Sequence, residues 1–120
     1  MNRLIKWADD AIRLRSIRHG LRSPHWPKVS GLWRQSHPTC AACGSLRKVQ
    51  VHHIKPFHLF PELELVTTNL ISLCEVKTIG GNHHLLFGHS GNWTHINAAV
   101  VHDAARALRD HIIATTTTGE

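Results

Sequence analysis

Residues 51–54 read Val-His-His-Ile, so that two adjacent histidines stand at the end of a short apolar run. Asn69 follows at the head of a second apolar run, and another histidine pair occupies positions 83–84. Because neighbouring residues of a strand point in opposite directions, His52 and His53 can direct one ring to a metal ion and the other to a water molecule. Such a pair suits a hydrolysis that needs both a base that activates water and a cation that neutralises charge growing on the substrate.

A Cys-x-x-Cys-Gly sequence, from Cys40 to Gly44, precedes this stretch. It has the form of a zinc knuckle, in which the glycine relieves the tight turn below the metal. One knuckle supplies half of a tetrahedral site, and Cys74 is the obvious third ligand. A redox Cys-x-x-Cys is expected beside a βαβ pattern, and none is visible here. Three cysteines do not make a disulfide framework, so their use indicates a reducing compartment.

The chain has 120 residues, which fits one domain. A domain of this size has a small core and often needs a bound metal ion to stabilise its fold. Its formal net charge is +6, and ten of the 14 lysines and arginines lie in the first 48 residues. This asymmetry suggests a polyanionic partner, most simply nucleic acid. Charge alone does not distinguish such a surface from a basic but inert one.

No run of about 18 apolar residues exists, so the sequence predicts no membrane span and no membrane partner. The N-terminus has no apolar core of the kind that a secretory signal carries. Together with the cysteine usage, this predicts a cytoplasmic protein.

Residues 1–36 are predicted to form a basic helical region. Residues 2–18 have the spacing of an amphipathic helix, whose basic face either is a solvated surface or tracks a phosphate backbone. A short helix from about Lys28 to Gln35 is expected to follow. Its inward residues are predicted to be Val29, Leu32 and Trp33, with Trp26 and Trp33 as core anchors rather than platforms for stacked bases.

The middle of the chain, residues 37–95, alternates between short strands and loops. A strand is predicted over 48–54, a loop over 55–68 and a second strand over 70–74. A helix is expected to start near Asn82.

The C-terminal part is predicted to be an amphipathic helix over 96–113, followed by a frayed tail over 114–120. The fold class is therefore α+β.

Taken in order, Cys-x-x-Cys, His-His, Asn-Leu-Ile-x-Leu-Cys and His-His resemble the HNH family of nucleases over roughly residues 37–95. The resemblance implies a ββα-metal finger, that is, a two-stranded hairpin and a helix, with flanking helices and one divalent cation (Mg, Mn, Ni or Zn). It implies an endonuclease that nicks double-stranded DNA one strand at a time. His52 is then a metal ligand, His53 the general base and His84 a second metal ligand. Asn69 hydrogen-bonds the backbone across the finger loop and so holds the base.

A third ligand is expected one turn after His84, and His89 is the candidate. The colicin nucleases, which the His-His form resembles, space these two ligands four residues apart. Here they are five apart, with Gly88 between them. Gly88 can end the helix and let the loop bring His89 back, while the alternatives for His89 are a DNA contact or a packing role.

Residues 82–93 resemble a subgroup of phage and bacterial HNH proteins that carry Cys-His where this chain has His83 and His84. The matching structural zinc set is Cys40, Cys43, Cys74 and His83, and histidine is an accepted zinc ligand. In the alternatives, His83 and His84 exchange roles or the structural site is vacant. The subgroup also implies an association with phage DNA packaging, with a terminase as partner.

Two rival functions remain open at this point. A zinc-stabilised DNA-binding module without catalysis would bind DNA with a steep salt dependence and would not nick it. A nuclease directed at RNA is disfavoured, because the chain has no aromatic strip. For the endonuclease, His53 must be neutral, and since the ordinary pKa of histidine is about 6.5, cleavage is expected to fall in acid.

Overall fold

The computed structural model describes residues 22–77 and 82–118, with side chains described as far as residue 115. The predicted helix over 2–18 lies outside these residues. Two helices and two strands follow one another in the order α1 (Trp26–Ser36), β1 (Val49–His53), β2 (Leu70–Cys74) and α2 (Val100–Thr118). A single π-helical turn, His84–Gly88, lies between β2 and α2. The α+β class predicted from the sequence is confirmed.

β1 and β2 form a two-stranded antiparallel sheet in which Val49 is paired with Cys74 and His53 with Leu70. The predicted strand over 48–54 is one residue shorter at each end, and the predicted strand over 70–74 is confirmed with its bounds. At the start of β1, Lys48 has a φ of 49°, which marks a turn into the strand. Every residue of β2 is buried, so the sheet has its C-terminal strand inside the molecule.

The core lies between this sheet, the cysteine knuckle and the first two turns of α2. Leu73, Val100 and Ala104 are fully buried. The core is completed by the buried residues Cys40, Ala42, Val49, Ile71 and Cys74. A core of this size favours an additional staple.

Helix α1 is longer than predicted, and it does not bury the face that the sequence pattern indicated. None of its residues is buried, and Leu32 is 55% exposed, so the predicted inward packing of Leu32 is wrong. Helical spacing identifies an apolar face but does not tell how much of it another element covers.

The two tryptophans of α1 are half-buried rather than core anchors. The ring of Trp26 lies 4.5 Å from the ring of His53. Trp33 stacks on His37 at 3.6 Å, and its Nε1 donates to Ser72 Oγ at 3.1 Å. Both tryptophans therefore contact polar side chains, and neither belongs to the buried core.

Helix α2 begins four residues later than predicted and extends through Thr118, where a frayed tail was expected. The later start has a cause in Asn97, whose Oδ1 accepts from Ala99 N at 2.9 Å and whose Nδ2 donates to Phe87 O at 2.8 Å. Beyond the core contact, Ile112 is 54% exposed. Within residues 22–77 and 82–118, none of the helices combines the length and the hydropathy of a membrane-spanning segment.

Candidate metal centres

The four predicted structural ligands come together at one place. Cys40 and Cys43 lie in the knuckle, Cys74 ends β2, and His83 precedes the π-helical turn. The four ligand atoms all lie within 4.8 Å of one another. The Sγ atoms of Cys43 and Cys74 are 3.8 Å apart, and His83 Nδ1 lies 3.7 Å from Cys40 Sγ and 3.3 Å from Cys74 Sγ.

These spacings fit one tetrahedral ion, because ligands about 2.3 Å from a zinc ion are separated by about 3.8 Å along the edges of the tetrahedron. Gly44 makes the predicted turn, with a φ of 75° and an N–H that donates to Cys40 O at 2.8 Å. Burial raises the pKa of the Cys43 thiol to about 12, and electrostatic repulsion from Cys40 is a smaller cause. A bound dication would reverse this and release protons. The Cys3His cluster can therefore hold a metal ion such as zinc.

Three histidines form a second cluster, in which each ligand atom again lies within 4.8 Å of the others. His52 comes from β1, and His84 and His89 come from the two ends of the π-helical turn. Their ring centroids form a nearly equilateral triangle with sides of 5.1, 5.0 and 5.1 Å. His52 Nδ1 and His84 Nε2 are 3.2 Å apart.

The π-helical turn explains how ligands five residues apart meet. An α-helix places residues four apart on one face, and a π-helical turn takes up one more residue before it returns to that face. The turn is capped by Asn82, whose Oδ1 accepts from Leu85 N at 3.0 Å. It ends at Gly88, as the sequence suggested, and His89 joins the cluster. This arrangement assigns His84 to the second cluster and His83 to the first.

Gly88 is required by close approach rather than by its backbone conformation. A Cβ at this position would lie 3.1 Å from His52 Cε1 and 3.1 Å from His84 Cδ2. We expect Gly88→Ala to move these rings apart and to weaken binding of a divalent ion at the three-histidine cluster by about tenfold, as for other changes that disturb ligand orientation. Isothermal titration with Ni²⁺ measures this.

The matched control for that substitution is Gly31→Ala. A Cβ at Gly31 would have no atom within 4 Å, so the variant should bind the ion as the wild type does. Equal affinities for the two variants would show that Gly88 does not maintain the cluster.

Glu75 was not predicted from the sequence, yet it orients one of the three histidines. Its Oε1 lies 2.9 Å from His84 Nδ1, and because a carboxylate accepts, Nδ1 carries the proton and Nε2 is left for a metal. Glu75 directly follows Cys74, and His84 directly follows His83. The two clusters are thus linked twice by adjacent residues.

Burial favours the neutral form of two rings in the three-histidine cluster, those of His52 and His84. Burial, followed by repulsion from His84 and His89, lowers the pKa of His52 to about 3. Burial also lowers the pKa of His84, against the opposing effect of the hydrogen bond that His84 donates to Glu75. Neutral imidazoles are the form that binds metal ions. In an unfolded chain His52 would be protonated below about pH 6.5, whereas in the folded chain it is protonated only near pH 3. Lowering the pH from about 6.5 to 3 therefore destabilises the fold.

One ring nitrogen of His53, the predicted base, is hydrogen-bonded to a backbone carbonyl, and the other lies near an arginine. His53 Nε2 lies 2.9 Å from Glu64 O, and since a carbonyl only accepts, Nε2 carries the proton of the neutral ring. Nδ1 is then the acceptor, and it lies 3.5 Å from Arg22 NH1. A general base requires this tautomer, in which Nδ1 carries a lone pair rather than a proton.

Asn69 supports His53 through the intervening loop. Its Oδ1 accepts from Lys55 N at 2.8 Å, and its Nδ2 donates to Lys55 O at 3.0 Å and to Leu63 O at 3.4 Å. These are the backbone hydrogen bonds that the resemblance implied. They close the loop that carries Glu64, and the carbonyl of Glu64 in turn orients His53.

Arg22 and the side chain of Glu64 are further site residues that the sequence did not reveal. Glu64 is fully buried and accepts twice from Ser23 N, at 3.1 and 3.2 Å. Its Oε2 lies 3.8 Å from Arg22 NH1. The guanidinium of Arg22 also lies over the ring of Phe57 at 4.4 Å, so it is held beside His53. The basic character of the N-terminal region was the sequence signal for Arg22, and Glu64 had none.

One cleft of about 370 Å³ is bordered by both functional groups, the three-histidine cluster and His53 with Arg22. Trp93 forms part of its rim, is 51% exposed, and lies 5.1 Å from the ring of His84. A cation held by the cluster and a water molecule approached by His53 would therefore share one solvent-filled space.

Comparison of the chain with protein-family models, with curated proteins and with solved structures found no match.

Proposed function

We propose that the protein is a metal-dependent endonuclease of the HNH type that hydrolyses phosphodiester bonds of double-stranded DNA, one strand at a time. The observation that carries the proposal is that the three-histidine cluster and His53 border the same cleft, with Nδ1 of His53 beside Arg22, which also borders it. One group of residues can hold a cation, and the other can accept a proton, which are the two requirements of this hydrolysis.

The three histidines suit a catalytic cation because three protein ligands would leave at least one coordination position for water or substrate, and all three residues border the cleft. A divalent cation bound there would act as a Lewis acid towards the scissile phosphate and the leaving oxygen. An all-imidazole set favours Zn, Ni or a similar transition-metal ion over Mg, which prefers oxygen ligands. Glu75 would keep the Nε2 atom of His84 directed at the ion.

His53 would act as the general base. With its Nε2 proton donated to Glu64 O, its Nδ1 can take a proton from the attacking water. Arg22 lies beside this nitrogen, and its guanidinium can bind a phosphate oxygen and hold the phosphodiester in the cleft. Its cation–π contact with Phe57 limits its freedom before the substrate arrives.

The surrounding architecture also supports the proposal. β1, β2 and the π-helical turn follow one another as the two strands and the helix of a ββα-metal finger do. The Cys3His cluster has the ligands and spacings of a structural zinc site next to that finger. The net charge of +6 suits a DNA substrate. A phage terminase as partner stays a prediction of the resemblance.

Nicking of supercoiled plasmid across Mg²⁺, Mn²⁺, Ni²⁺ and Zn²⁺ tests the proposal. We expect conversion to the open circular form with at least one transition-metal ion and little with Mg²⁺. Plasmid that is bound but never nicked with any of these ions would instead support the alternative, a zinc-stabilised DNA-binding module without catalysis.

A further inference from the structure

Three basic side chains form a strip along the outer side of α2. His102, Arg106 and Arg109, which we call the α2 strip, are spaced by four and three residues and are all exposed. At 3.6 residues per turn they share one side of the helix, and together they border a shallow concavity of about 280 Å³. The opposite side carries Val100 and Ala104, which are fully buried in the core.

The two guanidinium groups of the strip are not neutralised by carboxylates within the described residues. Neither lies within 4.0 Å of an Asp or Glu oxygen of that part of the chain, although Asp110 follows Arg106 by one turn. Asp103, the other acidic residue of this helix, accepts from Asn97 Nδ2 at 2.9 Å. Arg106 and Arg109 therefore have donors available for an external anion.

The strip is attached to the wall of the catalytic cleft. Residues 94–96, which precede α2, border the cleft, and His89 Nδ1 lies 3.0 Å from His95 O. Asn97 donates to the carbonyl of Phe87 within the π-helical turn at 2.8 Å. The first turn of α2 is thus joined by hydrogen bonds to the segment that supplies His84 and His89.

We propose that the α2 strip binds the phosphate backbone of DNA outside the cleft, an inference that rests on the proposed function for the choice of DNA. The seven-residue span from His102 to Arg109 is about 10 Å long, comparable with three nucleotide steps of one strand at 3.4 Å each. Arginine forks suit phosphate oxygens. An acidic protein partner fits less well, because protein interfaces have an apolar centre and Ala105 is the one apolar residue in this concavity.

The test measures DNA binding of the full-length chain in a His53→Ala background, so that the duplex is not cut. Fluorescence anisotropy with a short labelled duplex gives the affinity at several salt concentrations. Removing two phosphate contacts with Arg106→Ala/Arg109→Ala should weaken binding regardless of sequence and reduce the slope of log affinity against log salt by about 2. Alanine is the best helix former, so α2 should be retained, which circular dichroism checks.

A matched control, Lys28→Ala/Arg34→Ala, removes the same number of exposed charges from α1. The proposal expects its salt slope to stay at the parental value. An unchanged slope for the α2 double variant, or equal reductions for both double variants, would overturn it.

A second readout separates this proposal from the proposed function. Hydrolysis of bis(p-nitrophenyl) phosphate, which has no extended backbone, should be unchanged by Arg106→Ala/Arg109→Ala in an otherwise wild-type chain. Absence of hydrolysis in every chain would count against the endonuclease, while the reduced salt slope would still support the α2 strip.

Discussion

Plasmid nicking is expected to fall at least about 100-fold when His53 is replaced with alanine, because general-base catalysis contributes about 10²–10⁴ to such rates. His53 is the ring whose Nδ1 lacks a proton in the neutral form and lies beside Arg22 in the cleft. The variant should still bind the ion, since the three-histidine cluster does not include His53. Initial nicking rates with the most active ion measure the effect.

The matched control for His53→Ala is His58→Ala. His58 also borders the cleft but is exposed, so its removal tests whether any nearby imidazole can serve as the base. We expect the His58 variant to nick close to the wild-type rate. A His53 variant that is folded, loaded with metal and as fast as wild type would refute the assignment of the base.

Loss of the ion at the Cys3His cluster is expected to unfold most of the domain. Structural zinc contributes about 10–16 kcal/mol in zinc-finger peptides, comparable with the whole stability of a small domain, about 5–15 kcal/mol. Cys40 and Cys74 are part of the small buried core, so thiols left without an ion would disturb its packing. Cys43→Ser should therefore lose bound zinc and the cooperative thermal transition, followed by circular dichroism and elemental analysis.

Leu46→Ala provides the comparison within the same loop. Leu46 is 71% exposed, so truncating it should change the melting temperature little. If Cys43→Ser contains one ion fewer and yet melts as Leu46→Ala does, the cluster is not the staple of the fold.

The same substitution should also affect the second centre. Because Cys74 is followed by Glu75 and His83 by His84, loosening of the Cys3His cluster displaces both the ligand and the carboxylate that orients it. Any Cys43→Ser protein that remains folded is accordingly expected to bind Ni²⁺ more weakly than wild type.

Local signals accounted for the parts of the fold that the sequence predicted well. The knuckle from Cys40 to Gly44 and the strand Leu70–Cys74 depend on turn chemistry and on a short apolar run, both readable within a few residues. The motif order also pointed to both ligand sets, including His89. Two residues five apart share one helical face only in a π-helical turn. No residue pattern in the sequence predicted that turn.

Residues whose role depends on tertiary contacts could not be predicted in this way. Glu64 and Arg22 are 42 residues apart in the sequence and meet only because the loop between the strands folds over the N-terminal end of α1. No local pattern marks Glu75, because its role depends on the helical turn that places His84 beside it. The exposure of Leu32 likewise depends on which element covers α1, and helical periodicity carries no information about that.

The location of a bound divalent ion tests the proposed active site most directly. Anomalous scattering from crystals grown with Ni²⁺ should reveal an ion about 2.0–2.1 Å from ring nitrogens of His52, His84 and His89. Its open coordination positions should face Nδ1 of His53 across the cleft. An ion bound elsewhere in the chain, or one whose open side points away from His53, would contradict the proposed site.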